Sequence, residues 1–507
     1  MSRILAIDQS TSATKAVLFD ATGALLAKSS RDHRQIYPQP GWVEHDAEEI
    51  WQNVLAVIRD LAARHDLSQL AGLSLTNQRE TIVVFDRQTG QPLHHALVWQ
   101  DRRGDALCQK LREQGREKLV QAKTGLKIDT YFSASKLAWL IENKPDLAAK
   151  LRDGSAVIGT MDAYLIHRLT GGSVFATDHT NASRTLLFDV ARHSNVESGS
   201  EGTRHRNVEL RWDAELCDLF GVPMNALPEV RESASHFGET NADGALPRRV
   251  PIVGVMGDSQ ASLFAQRCFA PGATKATFGT GTSVLLNIGS QFKPAGQGAV
   301  TALAWVHKGT PTYASEGIIN FSAATVAWLK DQLGLVRDAA ESEALALAVP
   351  DNGGVYLVPA FAGLSAPYWS PDARAAIVGM TAHTRREHIV RAALESIAYQ
   401  LRDVLDMMRG EAGVGLQSLH ADGGPTRNQF LMQFTADLTG VELSVADVAE
   451  SSAWGAAMNG LLALGEFKSL DELAALPRST RTYSPRMPAA EVKRLHDGWL
   501  AAVKRIL

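Results

Sequence analysis

Short apolar runs broken by small polar turns mark the chain from its first residues. Ile4-Leu-Ala-Ile7 gives way to a polar turn from Asp8 to Thr14, then to Ala16-Val-Leu-Phe19, Asp20-Ala-Thr-Gly23 and Ala24-Leu-Leu-Ala27. Three strands joined by tight turns predict an antiparallel meander. A helical period takes over from Glu48 to Ala63, and a strand-like Gly72-Leu-Ser-Leu75 ends in the polar Thr76-Asn-Gln-Arg-Glu80. Hairpins mixed with helices predict α/β layers rather than a repeating βαβ barrel. Near Pro247 to Pro251 the pattern restarts with Ile252-Val-Gly-Val255, Gly257-Asp258 and a helical run from Gln260 to Gln266. Ala273 to Phe278, the turn Gly279-Thr-Gly-Thr282 and Val284 to Ile288 then repeat the theme of strand, hydroxyl-rich turn, strand. The second half reads as an architectural analogue of the first, which predicts domains at 1–250 and 251–507 without a solenoid-type repeat. Two further stretches stand apart. The polar run His193 to Arg206 predicts an exposed loop, and the amphipathic segment Ala489 to Leu507 predicts a packing helix.

Composition narrows the class. The 507 residues have room for at least two large domains, and 45% hydrophobic against 21% charged residues is an ordinary globular balance. A formal charge of −4 offers no basic field for a nucleic-acid backbone or an anionic membrane. Asp8 interrupts the N-terminus before an apolar core of a secretory signal could form. No apolar run approaches the roughly 20 residues of a membrane span. The three cysteines (Cys108, Cys217, Cys268) lack CxxC spacing and predict buried thiols in a reducing compartment. The expectation is a soluble cytoplasmic protein with a cleft between two domains.

Several signatures can be set aside. No GxxxxGK[ST] or HExxH occurs, and Gly279-Thr-Gly-Thr-Ser-Val284 lacks the third glycine of a dinucleotide fingerprint. Gly257-Asp-Ser-Gln-Ala261 resembles a nucleophile elbow, so a hydrolase built on Ser259 is one competing reading. It leaves the turns after Asp8 and at Gly279 without a purpose. Those turns, Asp8-Gln-Ser-Thr-Ser12 and Gly279-Thr-Gly-Thr282, together with Gly423-Gly424, expose backbone N–H groups and hydroxyls that suit phosphate oxygens. Any one alone is an ordinary hairpin turn; three together point to an ATP cleft. Asp8, just before such a turn, suits Mg²⁺ held through water. Arg79-Glu80 at a strand end is either a surface ion pair or a grip for a polyol. Asp258 is either a general base or a helix N-cap.

At these residues the chain resembles the glycerol kinases of the FGGY carbohydrate kinase family along nearly its whole length. The resemblance is carried by Tyr37-Pro-Gln-Pro-Gly-Trp-Val-Glu-His-Asp46, Thr76-Asn-Gln-Arg-Glu-Thr81, Val98-Trp-Gln-Asp-Arg-Arg103 and Ile128-Asp-Thr-Tyr-Phe-Ser133. Thr180-Asn-Ala-Ser-Arg-Thr185, Leu227-Pro-Glu-Val-Arg231, Val358-Pro-Ala-Phe361, Ala366-Pro-Tyr-Trp369, Leu394 to Gln400 and Phe430 to Phe434 extend it. It implies an α/β fold of two ribonuclease-H-like domains, of the hexokinase/actin ATPase type, with ATP and Mg²⁺ between them. By that resemblance Asp258 is the base, while Arg79, Glu80, Tyr131, Trp99 and Ser259 line the polyol pocket. Thr11, Ser12, Ala13 and Lys15 form the first phosphate loop and Thr280 the second. Ala323, Ala327, Gly424 and Asn428 fall on the adenosine side, and Asp8 near Mg²⁺.

The departures from that pattern bear on specificity. Ser10 replaces a glycine of the first loop, and Lys15 stands where arginine is common. Ser259 stands for a glutamine after the base, and Ser283 for an aromatic of the pocket. Ala323 and Ala327 replace glycine and glutamine, and the 193–206 loop reads as an insertion. Arg249 remains from a loop that binds a sugar bisphosphate in some relatives, but its glycine-rich partner is missing, so that regulation is not expected. The implied activity is phosphorylation of a small polyol, glycerol first, by a cytoplasmic protein that could also self-associate. A four- or five-carbon polyol or ketose, such as erythritol or erythrulose, is the second reading. A noncatalytic actin-fold ATP-binding protein is the third.

Overall fold

Near-continuous burial along the first two strands builds a sheet with two apolar faces. In the computed structural model, β1 (Arg3–Gln9), β2 (Ala13–Asp20) and β3 (Leu25–Asp32) form the expected antiparallel meander. Leu5 and Ile7 point to one core, Ile4 and Ala6 to another, as the period of two requires. The chain crosses through α1 (Ala47–Arg64) to β4 (Leu70–Asn77), which pairs with β1 in parallel. Asp46 caps α1 by accepting from the N–H groups of Glu48 and Glu49. Strands β5 (His236–Thr240) and β6 (Val250–Gly257) complete the order β5-β6-β4-β1-β2-β3. By its hydrogen bonds the segment from Val250 to Gly257 belongs to this first sheet, so the expected division at residue 250 falls at the start of one of its strands. The structure describes residues 2–191, 210–294, 296, 298–370, 372–446 and 450–507; the predicted 193–206 loop lies outside them.

A second sheet repeats the plan. It contains β7 (Ala273–Phe278), β8 (Thr282–Gly289), β9 (Val300–His307), β10 (Thr310–Ile319), β11 (Ser418–Asp422), β12 (Leu443–Ala446) and β13 (Thr480–Tyr483). Their order is β9-β10-β8-β7-β11-β12-β13. The antiparallel run β7-β8-β10 with parallel β11 and β12 answers β1-β2-β3 with β4 and β6. The two sheets therefore share one topology.

Helices fill three layers. α1 and α2 (Met161–Leu169) cover the outer face of the first sheet. α3 (Asp258–Ala265) continues directly from β6 and lies between the sheets. α4 (Arg386–Ala412) and α5 (Gln429–Thr439) cover the outer face of the second sheet. α6 (Ser451–Ala463) joins α3 in the shared central layer, against β1, β4 and β6. The last helix, Ala489–Val503, does pack: Trp499 stacks on Tyr399 at 5.3 Å and donates to Asp403 at 2.6 Å. All three cysteines are buried. No helix among the described residues is long and apolar enough to cross a membrane.

Candidate active-site cleft

Strand β4 ends in a tight reversal that turns two charged side chains inward. The Thr81 N–H donates to the Arg79 carbonyl at 2.7 Å, and Glu80 between them has φ 60°, a left-handed conformation that costs a non-glycine residue free energy. Ser133 holds the turn by donating to the Glu80 carbonyl at 2.9 Å. Arg79 and Glu80 are both buried, so the surface ion pair is excluded. Arg79 reaches Asp258 at 3.3 Å, Glu316 at 2.7 Å and the amide oxygen of Gln260 at 3.3 Å. Glu80 faces the other way and accepts from Arg184 at 2.5 Å, while Arg184 also meets Glu316 at 2.5 Å. Asp258, Arg79, Glu316, Arg184 and Glu80 thus form one chain of alternating charge. Burial pushes Glu316 upward, but Arg184 and Arg79 outweigh it and hold the carboxyl at about 2. Glu80 goes upward, because burial outweighs Arg184 and Arg79.

Asp258 stands at the first turn of α3, with Gly257 rather than Asp258 as the N-cap. The side chain of Asp258 is 35% exposed while that of Arg79 is 4%, so its carboxylate forms the open end of the buried chain. Its place is set from behind. The Gly257 N–H donates to Thr180 at 2.9 Å, and Thr180 donates to the buried carboxylate of Asp178 at 2.9 Å. A Cβ on Gly257 would lie 2.8 Å from Cγ of Arg79, so the glycine lets the guanidinium stem lie across the strand end. Asn77 and Asn181 exchange amide hydrogen bonds at 2.9 and 3.1 Å and tie the same motif to β4.

An aromatic wall closes one side. Trp99 and Tyr131 are half-buried with ring centroids 5.3 Å apart, and the Arg184 guanidinium lies 5.8 Å from the Tyr131 ring centre. Lys136 donates to the carbonyls of Thr130, Tyr131 and Phe132 at 2.6, 3.1 and 2.9 Å, fixing the backbone that carries Tyr131. The Trp99 indole donates to the Thr11 hydroxyl at 2.9 Å, which joins this wall to the first hydroxyl-rich turn.

That turn follows β1. Ser10 bonds the Ala13 carbonyl through both its N–H and its hydroxyl, leaving Thr11 and Ser12 at the tip. Lys15 on β2 lies opposite Asp8, 3.3 Å from its carboxylate and 2.8 Å from Glu450. Burial raises the Asp8 carboxyl to about 6 against the pull of Lys15, with Glu450 and Asp258 also pushing it up. The second turn joins β7 to β8 and leaves Thr280 exposed. Its Gly279 and Thr280 carbonyls accept from the N–H groups of Ala323 at 3.1 Å and Ala324 at 3.2 Å. Gly423 follows β11 at φ 98°, so close to the Phe278 carbonyl that no Cβ would fit. Asn428 caps α5 by accepting from the Leu431 N–H at 2.9 Å.

The sequence model of the FGGY N-terminal domain matches residues 3–265, and that of the FGGY C-terminal domain matches residues 274–464. The chain belongs to the FGGY family of carbohydrate kinases. Among curated members it is 44% identical over 506 residues to glycerol kinase 1 of Thermotoga maritima, covering 99% of both chains. It is 46% identical over 504 residues to glycerol kinase of Symbiobacterium thermophilum, covering 99% of this chain and 98% of that one. The crystal structure of Plasmodium falciparum glycerol kinase with ADP superposes with a TM-score of 0.92 at 36% identity, over 100% of this chain and 98% of that one. A ligand-bound xylulose kinase from Lactobacillus acidophilus, 21% identical with a TM-score of 0.87 over 100% of this chain and 98% of that chain, shares the fold.

Within this FGGY member the expected site residues fall into two groups. Asp258, Arg79, Glu80, Trp99 and Tyr131 meet at the junction of β4, β6 and α3, and Trp99 links them to Thr11. Thr280, Ala323, Ala327 and Gly424 gather around the end of β7, with Asn428 just beyond at the start of α5. The Ser259 hydroxyl has no hydrogen-bond partner among the described residues, so no histidine is placed to activate it as a hydrolase nucleophile. Sequence reasoning missed Arg184, Glu316 and Glu450. Arg184 lies inside the quoted Thr180 to Thr185 motif, and Glu316 is an isolated carboxylate in an otherwise uncharged strand. Arg184 is 104 residues from Glu80, Glu316 is 237 from Arg79 and Glu450 is 435 from Lys15, separations that no local pattern reveals.

Proposed function

We propose that the protein transfers the γ-phosphoryl group of ATP to a terminal hydroxyl of glycerol. The observation that carries this reading is Asp258, a carboxylate at the open end of a buried ion chain, 3.3 Å from Arg79 and at the seam of the two sheets. Glycerol lies against Trp99 and Tyr131, with Arg79 donating to one hydroxyl and Glu80 accepting from its neighbour. Asp258 accepts the terminal hydroxyl proton as that oxygen attacks phosphorus. Thr11, Ser12, Ala13 and Thr280 present donors to the phosphates from opposite sides, and Lys15 adds charge. Ala323, Ala327, Gly424 and Asn428 border the adenosine. This is catalysis by positioning and charge, as phosphoryl transfer requires.

The residues fit a hydrated Mg²⁺. Among the described residues no cluster of three or more His, Cys, Asp or Glu could hold a bare ion, but Asp8 offers one buried carboxylate beside the phosphate turn. Bound with ATP, Mg²⁺ would neutralise phosphate charge through water and phosphate oxygens. We assign the protein to the cytoplasm, where ATP is available and three buried thiols stay reduced. A net charge of −4 supports no nucleic-acid partner. A coupled assay of ADP release, with and without glycerol, tests the reading. Glycerol-dependent ADP release with equal formation of a glycerol monophosphate is expected. ATP binding without ADP release on any polyol would favour a noncatalytic ATP-binding protein.

A further inference from the structure

The turn between β1 and β2 has its three successive carbonyls taken by donors of the protein itself. The Ser10 carbonyl accepts from the side-chain amides of Gln9 at 2.8 Å and Gln78 at 3.4 Å. The Thr11 carbonyl accepts from Nε2 of His33 at 2.9 Å and Nε2 of Gln35 at 2.7 Å. The Ser12 carbonyl accepts from the His33 N–H at 3.1 Å, and the Thr11 hydroxyl oxygen from the Trp99 indole at 2.9 Å. Among the described residues nothing accepts from the N–H groups of Thr11 and Ser12 or from their hydroxyls. In a trans peptide a carbonyl and the N–H that follows it point in opposite directions. Holding the carbonyls of Ser10 and Thr11 against the protein therefore turns the next two N–H groups outward, and the tip offers donors only.

The turn between β7 and β8 reaches the same end with backbone alone. Its Thr280 carbonyl accepts from the N–H groups of Ser322 at 2.8 Å and Ala324 at 3.2 Å, and its Gly279 carbonyl from that of Ala323 at 3.1 Å. The N–H groups of Thr280 and Gly281 meet no acceptor among the described residues. Each sheet thus carries one turn with its carbonyls drawn back, but at Thr11 the work falls to side chains. His33 follows β3 directly and Gln35 lies two residues on. His33 is buried, edge-on to His45 with ring centres 4.7 Å apart, so its ring has no room to swing away. Because Nε2 faces a carbonyl, that nitrogen carries the ring proton.

We propose that His33 and Gln35 are positioning residues of the phosphate site, which hold the Thr11 carbonyl from behind and so aim the Ser12 N–H at the phosphates of ATP. The inference rests on the ATP:polyol phosphotransferase reading above. Both side chains act through Thr11 and need not touch the nucleotide. Freed from them, the peptide between Thr11 and Ser12 can rotate and set a carbonyl oxygen against phosphate oxygens where a donor stood. Successive outward N–H groups form a concavity for anions, and donors fixed in advance need no reorganisation when the charge arrives.

The test is calorimetric titration of the full chain with ATP and, separately, with adenosine, which lacks the phosphates. His33→Leu and Gln35→Leu should each raise the Kd for ATP about five- to tenfold, the worth of one lost hydrogen bond, and leave that for adenosine unchanged. The KM for glycerol should stay near its wild-type value. His33→Gln, which can present an N–H in the place of Nε2, should restore ATP binding. Gln35 is only half-buried, so Gln35→Leu carries the test should His33→Leu fail to fold. An unchanged Kd for ATP, or a loss shared equally by adenosine, overturns the inference and leaves the kinase reading standing. A wild-type protein that binds no ATP brings down both.

Discussion

A buried carboxylate can be held at the expense of the fold, and Asp8 is so held. Burial raises its pKa from 3.8 to about 6, so between those values the folded chain holds a proton that the unfolded chain has lost. The stability tied to that proton is complete below about 3.8 and is lost as pH rises through about 6, at a cost of about 2–3 kcal/mol at full ionisation. Asp8→Asn should therefore raise the Tm at pH 8 and bring almost no gain at pH 4, while slowing turnover with ATP. Lys15 would keep its contact with Glu450 at 2.8 Å, so no new unpaired charge confuses the comparison. Thermal unfolding of both proteins at the two pH values decides; a gain of the same size at each would mean that Asp8 ionisation is not the cause. At this scale the sequence revealed side chains but not their directions. Arg79 and Glu80 are adjacent in the chain, yet the left-handed turn at Glu80 sends one carboxylate toward Arg184 and the guanidinium toward Asp258. Backbone handedness at one non-glycine residue is not written in composition or period.

Elements were more legible than residues because their signals are local. The opening meander, the restart at Ile252 and the hydroxyl-rich turns could all be read from short apolar runs and from Gly, Ser and Thr at strand ends. The sheet that each strand joins could not. Val250–Gly257 reads as the start of a second unit, yet its parallel partner is β4, since a strand buried on both faces carries no mark of its neighbour. The turn after β11 shows how one glycine brings two strand ends together. Gly423 has φ 98° and lies against the Phe278 carbonyl, which brings the Gly424 segment to the end of β7. Gly423→Ala should push these strand ends apart as well as strain the backbone by about 1–3 kcal/mol. The expected result is a lower Tm and an ATP KM raised about tenfold, with the polyol KM little changed. Steady-state kinetics with each substrate varied in turn checks this, and a rise confined to the polyol KM would put the nucleotide elsewhere.

Across the whole molecule, two sheets of one topology share a central layer of α3 and α6, and Glu316 crosses from the second sheet to Arg79 and Arg184 of the first half. The duplication was visible in the sequence as a repeated order of strand and turn, but the ion chain that couples the halves was not. Its members converge only once both sheets exist. Glu316→Gln keeps the shape and removes the charge that faces two buried guanidinium groups. Leaving such charges unmatched costs about 3–5 kcal/mol. A lower Tm should accompany a polyol KM raised at least tenfold, with the ATP KM nearly constant. Because Arg184 and Arg79 hold Glu316 at about 2, the wild-type pair stays charged over the ordinary range, and the loss should be the same at pH 6 and pH 8. Calorimetry and kinetics at both values measure it.

The proton acceptor is the joint on which the proposed chemistry turns, and single-turnover kinetics of Asp258→Asn tests it most directly. A positioned general base contributes about 10²–10⁴-fold, so phosphoryl transfer from bound ATP to glycerol should slow by that factor, with the Kd for ATP within threefold of wild type. Transfer within threefold of the wild-type rate would contradict the assignment of Asp258 as the base.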